Sequence, residues 1–368
     1  MLFTTPEISG ALVADLDRLD QMRARLGSES SRPVRWMGSL RRLARASTVE
    51  SSTSIEGYHV PPGEALALVS GAETPDPSDD DRMAIASYAH AMEHVAVMAD
   101  DPLFRWLDRV ILDLHWDACS FQRDKVPGQW RTGPVAVTAG EGRIAYEGPP
   151  ADDVPALMDE VVDWLEDGDL QAHVVVRAAM AHLHVVSVHP FRDGNGRISR
   201  IVQSLVLSRE RLLAPEFASI EEYLGTHTTA YYDVLRSVQG GSYQPERDAL
   251  PWVAFCIRAH IDQAEARLQQ IEEAAARWQV LEQLVESRGW PDRLVIALEQ
   301  SLIGGAERST YGAEAEVSTA TASADFRRLL DAGLVVQRGK TRSTRYVASD
   351  DLRELLGRAA VGAPVGEG

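Results

Sequence analysis

Cysteine is nearly missing from this chain: Cys119 and Cys256 are the only two, far apart and without metal-ligand spacing. They read as buried thiols, and the reducing cytoplasm is the default compartment. Long apolar runs are missing too, so no bilayer-spanning segment and no membrane partner are expected. The opening MLFTTPEISGALVADLDRLD turns acidic too early for a signal peptide. Positive charge is scarce, with 37 Lys and Arg against 55 Asp and Glu and a formal net charge of −18. So acidic a chain cannot hold nucleic acid through its overall field, only through a local basic patch. Internal repeats are absent. What is present is ordinary for a soluble globular protein: 368 residues, 45% hydrophobic and 25% charged, enough for two or three domains.

Most of the chain has apolar residues at three- and four-residue spacing, which predicts helices. They fall near 7–26, 36–50, 81–99, 103–120, 152–166, 171–188, 217–238 and 248–288. One interruption, Pro134 to Thr138 and Arg143 to Tyr146 around Ala139-Gly140-Glu141-Gly142, reads as a hairpin. A lone hairpin is marginally stable, so it should lean on the helices. Beyond about residue 272 the pattern changes. Helical stretches near 274–288 and 291–301 precede one over Ser318 to Leu330, stopped by Gly333. Leu334 to Gln337 and Thr344 to Val347 then read as strands. Three helices and a hairpin in that order predict a small winged helix-turn-helix domain.

The chemistry concentrates in His189-Pro190-Phe191-Arg192-Asp193-Gly194-Asn195-Gly196-Arg197-Ile198-Ser199-Arg200. An apolar helix from Val174 must end near Pro190, because proline does not fit inside a helix. Helical spacing resumes from Arg197, so Gly194, Asn195 and Gly196 sit at a helix N-terminus. Its free N–H groups and positive dipole end suit phosphate oxygens, and glycine lets a ligand come close. Arg197 and Arg200, three apart, can face the same anion. Asp193 is a hard oxygen ligand where a phosphate-bound Mg²⁺ needs one. His189 is the side chain best suited to take a proton near neutral pH. Taken singly, a glycine loop is a turn and a lone histidine is structural; the combination in this order is what carries the reading.

The run resembles the signature of Fic-domain proteins, His-x-Phe-x-Asp/Glu-Gly-Asn-Gly-Arg-x-x-Arg, at every specified position, and the resemblance extends over roughly residues 30–260. It implies a mainly α fold: a Fic helical core with the hairpin as target-positioning flap, followed by the winged-helix (α+β) domain. It also implies a protein adenylyltransferase that moves AMP from ATP to Ser, Thr or Tyr hydroxyls of a target protein, with ATP and Mg²⁺ as cofactors. Under it His189 is the general base, Asp193 holds Mg²⁺ and Phe191 packs the loop into the core. Gly194, Asn195, Gly196 and Arg197 bind phosphates, and Arg200 holds the γ-phosphate.

Upstream, Ser52-Thr53-Ser54-Ile55-Glu56-Gly57 resembles the inhibitory motif Ser/Thr-x-x-x-Glu-Gly/Asn of that family. The resemblance implies that Glu56 pairs with Arg200 and blocks the γ-phosphate. Independently, Gly57 looks like a residue just past a helix end. Glu56 would then lie at the negative end of a dipole, where a cationic partner would offset the cost. Tyr231 and Tyr232 either line an adenine pocket, as tyrosines of that family do, or pack in the core. His182 and His184 read as structural, and Arg131 as a residue that could orient the hairpin.

The resulting division is an N-terminal helical region over 1–110 carrying the inhibitory motif 52–57 and a catalytic core over 111–272. The winged helix-turn-helix domain covers 273–350, and a tail covers 351–368, disordered over its last ten residues. Between Ser318 and Val347 stand Arg327, Arg328, Arg338, Lys340, Arg342 and Arg345 against Asp325 and Asp331. Duplex DNA at 318–347 is therefore a candidate partner, with protein docking the alternative for such a domain, and a homodimer is a further candidate. Two competing functions stay open: removal of AMP from modified proteins with Glu56 orienting water, and a DNA-binding regulator whose core senses nucleotide.

Overall fold

The computed structural model describes residues 1–61, 63–71, 74–139, 143–339 and 344–360. The hairpin turn Gly140-Glu141-Gly142, the cations Lys340 and Arg342, and the tail from 361 lie outside the described residues. The fold is mainly helical. Two compact units divide the chain, Met1–Ser28 with Ala44–Arg267, and Glu29–Leu43 with Leu268–Gly368. The N-terminal 110 residues therefore do not stand as a region of their own. Leu16, Leu19 and Leu26 are buried, and residues 1–28 are counted with the larger unit.

The helices that begin in the larger unit or lead into it are α1 (Ala11–Ser30), α2 (Met37–Ile55), α3 (Glu64–Val69), α4 (Asp80–Asp100), α5 (Asp108–Cys119), α6 (Val154–Asp167), α7 (Val174–Val188), α8 (Asn195–Ser208), α9 (Pro215–Ala218), α10 (Glu221–Thr226), α11 (Thr228–Gln239) and α12 (Leu250–Ser287). Helix α7, VVVRAAMAHLHVVSV, is apolar on every side and is buried from Val175 to Val188 except at Arg177. A helix without a polar face belongs in the middle of a domain. Helix α8 packs on α7, with α4 and α5 against α8 and α6 against α7. The loop between α7 and α8 is thereby anchored on the central helix pair.

Strands β1 (Ala136–Ala139) and β2 (Arg143–Glu147) form an antiparallel pair with an irregularity between Val137 and Thr138. The hairpin does lean on helices: Tyr146 is buried, and its hydroxyl donates to the Ser187 carbonyl of α7. Two expected elements differ. The helix anticipated over 217–238 is three short ones, broken at Ser219, whose Oγ accepts the Glu221 N–H, and at His227. Helix α2 runs five residues past 50, through a Ser- and Thr-rich stretch. The Thr53 and Ser54 hydroxyls bond back to carbonyls of their own helix, which satisfies them inside it.

The smaller unit holds α13 (Leu294–Leu302), α14 (Arg308–Glu314), α15 (Thr319–Asp331), strands β3 (Val335–Arg338) and β4 (Arg345–Ala348), and α16 (Asp350–Ala360). Helix α14, seven residues long, is too short to show in the periodicity; 274–288 is instead the end of α12. Strands β3 and β4 pair antiparallel, and Ala306 adds a bridge to Tyr346. Phe326 of α15 stacks on Tyr346 with centroids 4.0 Å apart. Where a tail was expected from 351, α16 continues to Ala360 and buries Leu352. Among the described residues, no helix is long and apolar enough to cross a membrane.

Candidate active site

Helix α7 ends on His189, which takes a left-handed conformation (φ 51°) while its N–H still bonds to the Val185 carbonyl. Pro190 then forbids another turn. His189 Nδ1 lies 3.0 Å from the Val186 carbonyl. A carbonyl only accepts, so the proton sits on Nδ1 and Nε2 keeps its lone pair. Burial lowers the His189 pKa, against the Val186 carbonyl, which raises it. The ring is therefore a neutral proton acceptor near pH 7, and it lines a cleft of about 450 Å³. That volume lies within the roughly 300–1,000 Å³ usual for small-molecule sites.

The cleft floor is the loop entering α8. Phe191 is fully buried, with the His115 ring stacked at 3.5 Å and Trp130 at 5.0 Å. Asn195 is spent on the loop itself: Oδ1 accepts the Phe191 N–H and Nδ2 donates to the Phe191 carbonyl, both at 2.9 Å. Gly194 caps α8 with φ 78°, and a Cβ there would fall 2.5 Å from Cys119 Sγ. Asp193 is 39% exposed; its Oδ1 accepts the Gly194 N–H, and Oδ2 lies 3.7 Å from Arg197. Asp193, Gly194, Asn195 and Gly196 all border the cleft.

The two arginines part company. Arg197 is buried beneath the loop, outside the cleft lining, with Nη2 donating to Gln122 Oε1 at 2.9 Å. Its guanidinium faces the rings of Tyr58 and Phe121 at 5.5 and 5.6 Å. Of the two cations, Arg200 borders the cleft and Arg197 lies outside its lining. Helix α2 holds Arg200. Nε donates to Ser52 Oγ at 2.7 Å, and Nη2 donates to the Ser52 carbonyl at 3.1 Å and to Glu56 Oε1 at 2.7 Å. Burial acts to lower the Arg200 pKa, but the Glu56 charge and hydrogen bond, together with the nearby Tyr231 and Tyr88, carry it well above the ordinary value.

Glu56 is placed by the end of α2. Gly57 N–H bonds to the Ser54 carbonyl and Tyr58 N–H to the Thr53 carbonyl, with Gly57 at φ 90°. This Schellman pattern requires a residue tolerant of positive φ just past the helix, as Gly57 is. The carboxylate projects to the N-terminus of α8: a Cβ on Gly196 would fall 2.5 Å from Glu56 Oε1. It thus lies beside the helix end where the dipole favours an anion.

Helix α11 forms another wall. Tyr231 is buried with its hydroxyl 3.1 Å from His182 Nε2, while Tyr232 is 39% exposed and donates to the Ile55 carbonyl at 3.4 Å. His182 is structural: Nδ1 lies 2.7 Å from Gln203 Oε1, and burial pushes its pKa down to about 3. Arg131 does more than orient a hairpin. It donates to the carbonyls of His189, Gly133 and Pro149, tying the α7 end to both flanks of β1–β2. His115 and Glu221 carry no mark in the sequence. Glu221 is buried and accepts from Ser204; burial raises its pKa, and the nearby Arg200 charge lowers it.

Residues 106–207 match the model of the Fic/DOC family. A protein adenylyltransferase Fic of Aedes aegypti is 27% identical over 252 residues, which are 67% of this chain and 46% of that protein. A uridine 5'-monophosphate transferase of Xanthomonas campestris is 28% identical over 180 residues, 46% of this chain and 33% of that protein. The chain thus spans less than half the length of either relative. The crystal structure of a Fic family protein from Desulfovibrio desulfuricans aligns with a TM-score of 0.60 at 22% identity, covering 94% of this chain and 98% of that one. This last likeness concerns the fold.

Proposed function

We propose that the chain transfers AMP from ATP to a Ser, Thr or Tyr hydroxyl of a protein, and that Glu56 restrains it. One observation carries the reading: His189, with its Nε2 lone pair available, shares a cleft with an anion-accepting helix N-terminus that reaches Arg200. The hydroxyl proton passes to His189 Nε2 as the oxygen attacks the α-phosphorus. The bond to the β-phosphate oxygen breaks, and pyrophosphate leaves. The amides of Asn195 and Gly196 receive phosphate oxygens, the Gly194 N–H being held by Asp193 Oδ1, and Arg200 receives the γ-phosphate once Glu56 has left it. Arg197 acts from below, fixing the loop.

Asp193 is the residue that would hold Mg²⁺. Its carboxylate is exposed at the cleft, and Mg²⁺ is commonly bound by one or two carboxylates together with substrate phosphates. When bound, Mg²⁺ neutralises phosphate charge.

The test uses the Glu56→Gly protein with a host lysate and ATP labelled in either the α- or the γ-phosphate, with α-labelled UTP in parallel. Protein labelled from the α-position only, and from ATP over UTP, supports the proposal. Preference for UTP, or label from the γ-position, overturns it.

For the smaller unit we propose a winged helix-turn-helix that contacts duplex DNA. The order α13, Ala306 bridge, α14, α15, β3, β4 supports this, as does the exposure of Arg327, Arg328 and Arg338. Arg345 is paired with Glu307, and Asp325 is buried against Arg293 and Tyr311, so neither counts toward the surface charge.

A further inference from the structure

Behind the loop at Asp193 lies a side chain that no motif marks. His115 of α5 is 1% exposed. Its ring is parallel to Phe191 within 3° at 3.5 Å. The Gly128 N–H donates to its Nδ1 at 2.9 Å, so Nδ1 bears no proton and Nε2 does. Nε2 therefore donates to the Asp193 carbonyl, also at 2.9 Å. The polarity of the chain is set: amide to imidazole to carbonyl. Packing alone would be met by any flat ring. Only histidine adds an acceptor on one edge and a donor on the other.

The consequence falls on Asp193. Its carbonyl is held by a side chain of α5, while Asp193 itself borders the cleft with its side chain 39% exposed. The same ring closes the space beside Gly194, where a Cβ would fall 3.1 Å from Nε2. We infer that His115 is a positioning residue for the Asp193 carboxylate, fixing the backbone so that the carboxylate meets a nucleotide-bound Mg²⁺. The inference rests on the proposed role of Asp193 in nucleotide transfer.

The test uses the full chain carrying Glu56→Gly as parent. His115→Phe keeps a flat ring on Phe191 and removes both hydrogen bonds. His115→Gln returns a donor and an acceptor without the ring. Calorimetry reads the affinity for an α,β-methylene analogue of ATP with and without Mg²⁺, and steady-state transfer reads kcat and KM. Partners that orient a metal ligand are typically worth about 10–100-fold in metal affinity. His115→Phe should lose about 10-fold or more of the affinity that Mg²⁺ adds, with metal-free affinity unchanged. Its kcat should fall more than KM rises, and His115→Gln should recover part of both losses. An unchanged Mg²⁺ gain in His115→Phe overturns the assignment to His115 alone, as does an equal loss of metal-free affinity. Failure of both variants to fold makes His115 a packing residue and overturns it too. A parent that binds nucleotide with no Mg²⁺ gain, or binds none, overturns the role of Asp193 and this inference with it.

Discussion

The Glu56 carboxylate accepts a hydrogen bond from Arg200 at 2.7 Å while pressing so close to Gly196 that a Cβ there would fall 2.5 Å from it. One carboxylate thus covers both groups on which the triphosphate would depend, the arginine and the helix N-terminus.

Replacing Glu56 by Gly should raise AMP transfer, including self-modification. If the restrained arrangement holds about 99% of molecules, its release raises the competent fraction roughly 10²-fold. Arg200→Ala breaks the same pair and should not activate, since that guanidinium is needed for ATP. Labelled-AMP incorporation by both variants checks this; equal rates for wild type and a folded Glu56→Gly would leave Glu56 without a restraining role.

His189→Ala should keep the fold and nucleotide binding yet lose transfer by about 10²–10⁴-fold, the usual worth of a general base. Because the His189 pKa is lowered, the acid limb of kcat/KM in the Glu56→Gly protein should have its midpoint below the ordinary histidine value of 6.5. A midpoint above 6.5 would point to a different proton acceptor.

Buried histidines should make the fold acid-sensitive. Burial pushes His115 to about 4 and His182 and His184 to about 3, from an unfolded value near 6.5. A depressed folded pKa means the unfolded chain binds more protons as pH falls. Stability is then full above about 6.5 and is lost progressively as pH drops toward the folded values. Among the described residues, neither ring nitrogen of His184 has a hydrogen-bond partner. His184→Leu should therefore hold stability at pH 7 and flatten the decline, as read from urea midpoints between pH 7 and 4.

For DNA, removal of Arg327, Arg328 or Arg338 from the full chain should weaken duplex binding and reduce the salt slope by about 1 per arginine that meets a phosphate. Absence of binding by wild type at low salt would reassign the unit to protein docking.

What the sequence made legible was local. His189 to Arg200 is contiguous, and a proline between two apolar helices places the loop between them without any tertiary knowledge. Gly57 announced the end of α2 because positive φ is a single-residue property. His115 and Arg131 were hidden or undervalued for the opposite reason. His115 meets Asp193 across 78 residues and Arg131 meets His189 across 58, and nothing in the neighbourhood of either marks its partner. Helical spacing lets Arg197 share a face with Arg200. Burial against Tyr58, Phe121 and Gln122, which spacing does not reveal, turned it inward.

The absence of a side chain at Gly196 has a consequence for how such a protein can change. The gap it leaves admits Glu56 in the resting arrangement and, under the proposed function, phosphate in the working one. A substitution that fills it removes restraint and activity together, and so does one at Arg200. Under the proposed function, variants that gain activity should therefore cluster at the end of α2, where Glu56 restrains Arg200 and Gly57 shapes the helix end that places it. Variants that fall silent can arise anywhere along the loop. In a random mutational library the routes to silence should far outnumber the routes to release.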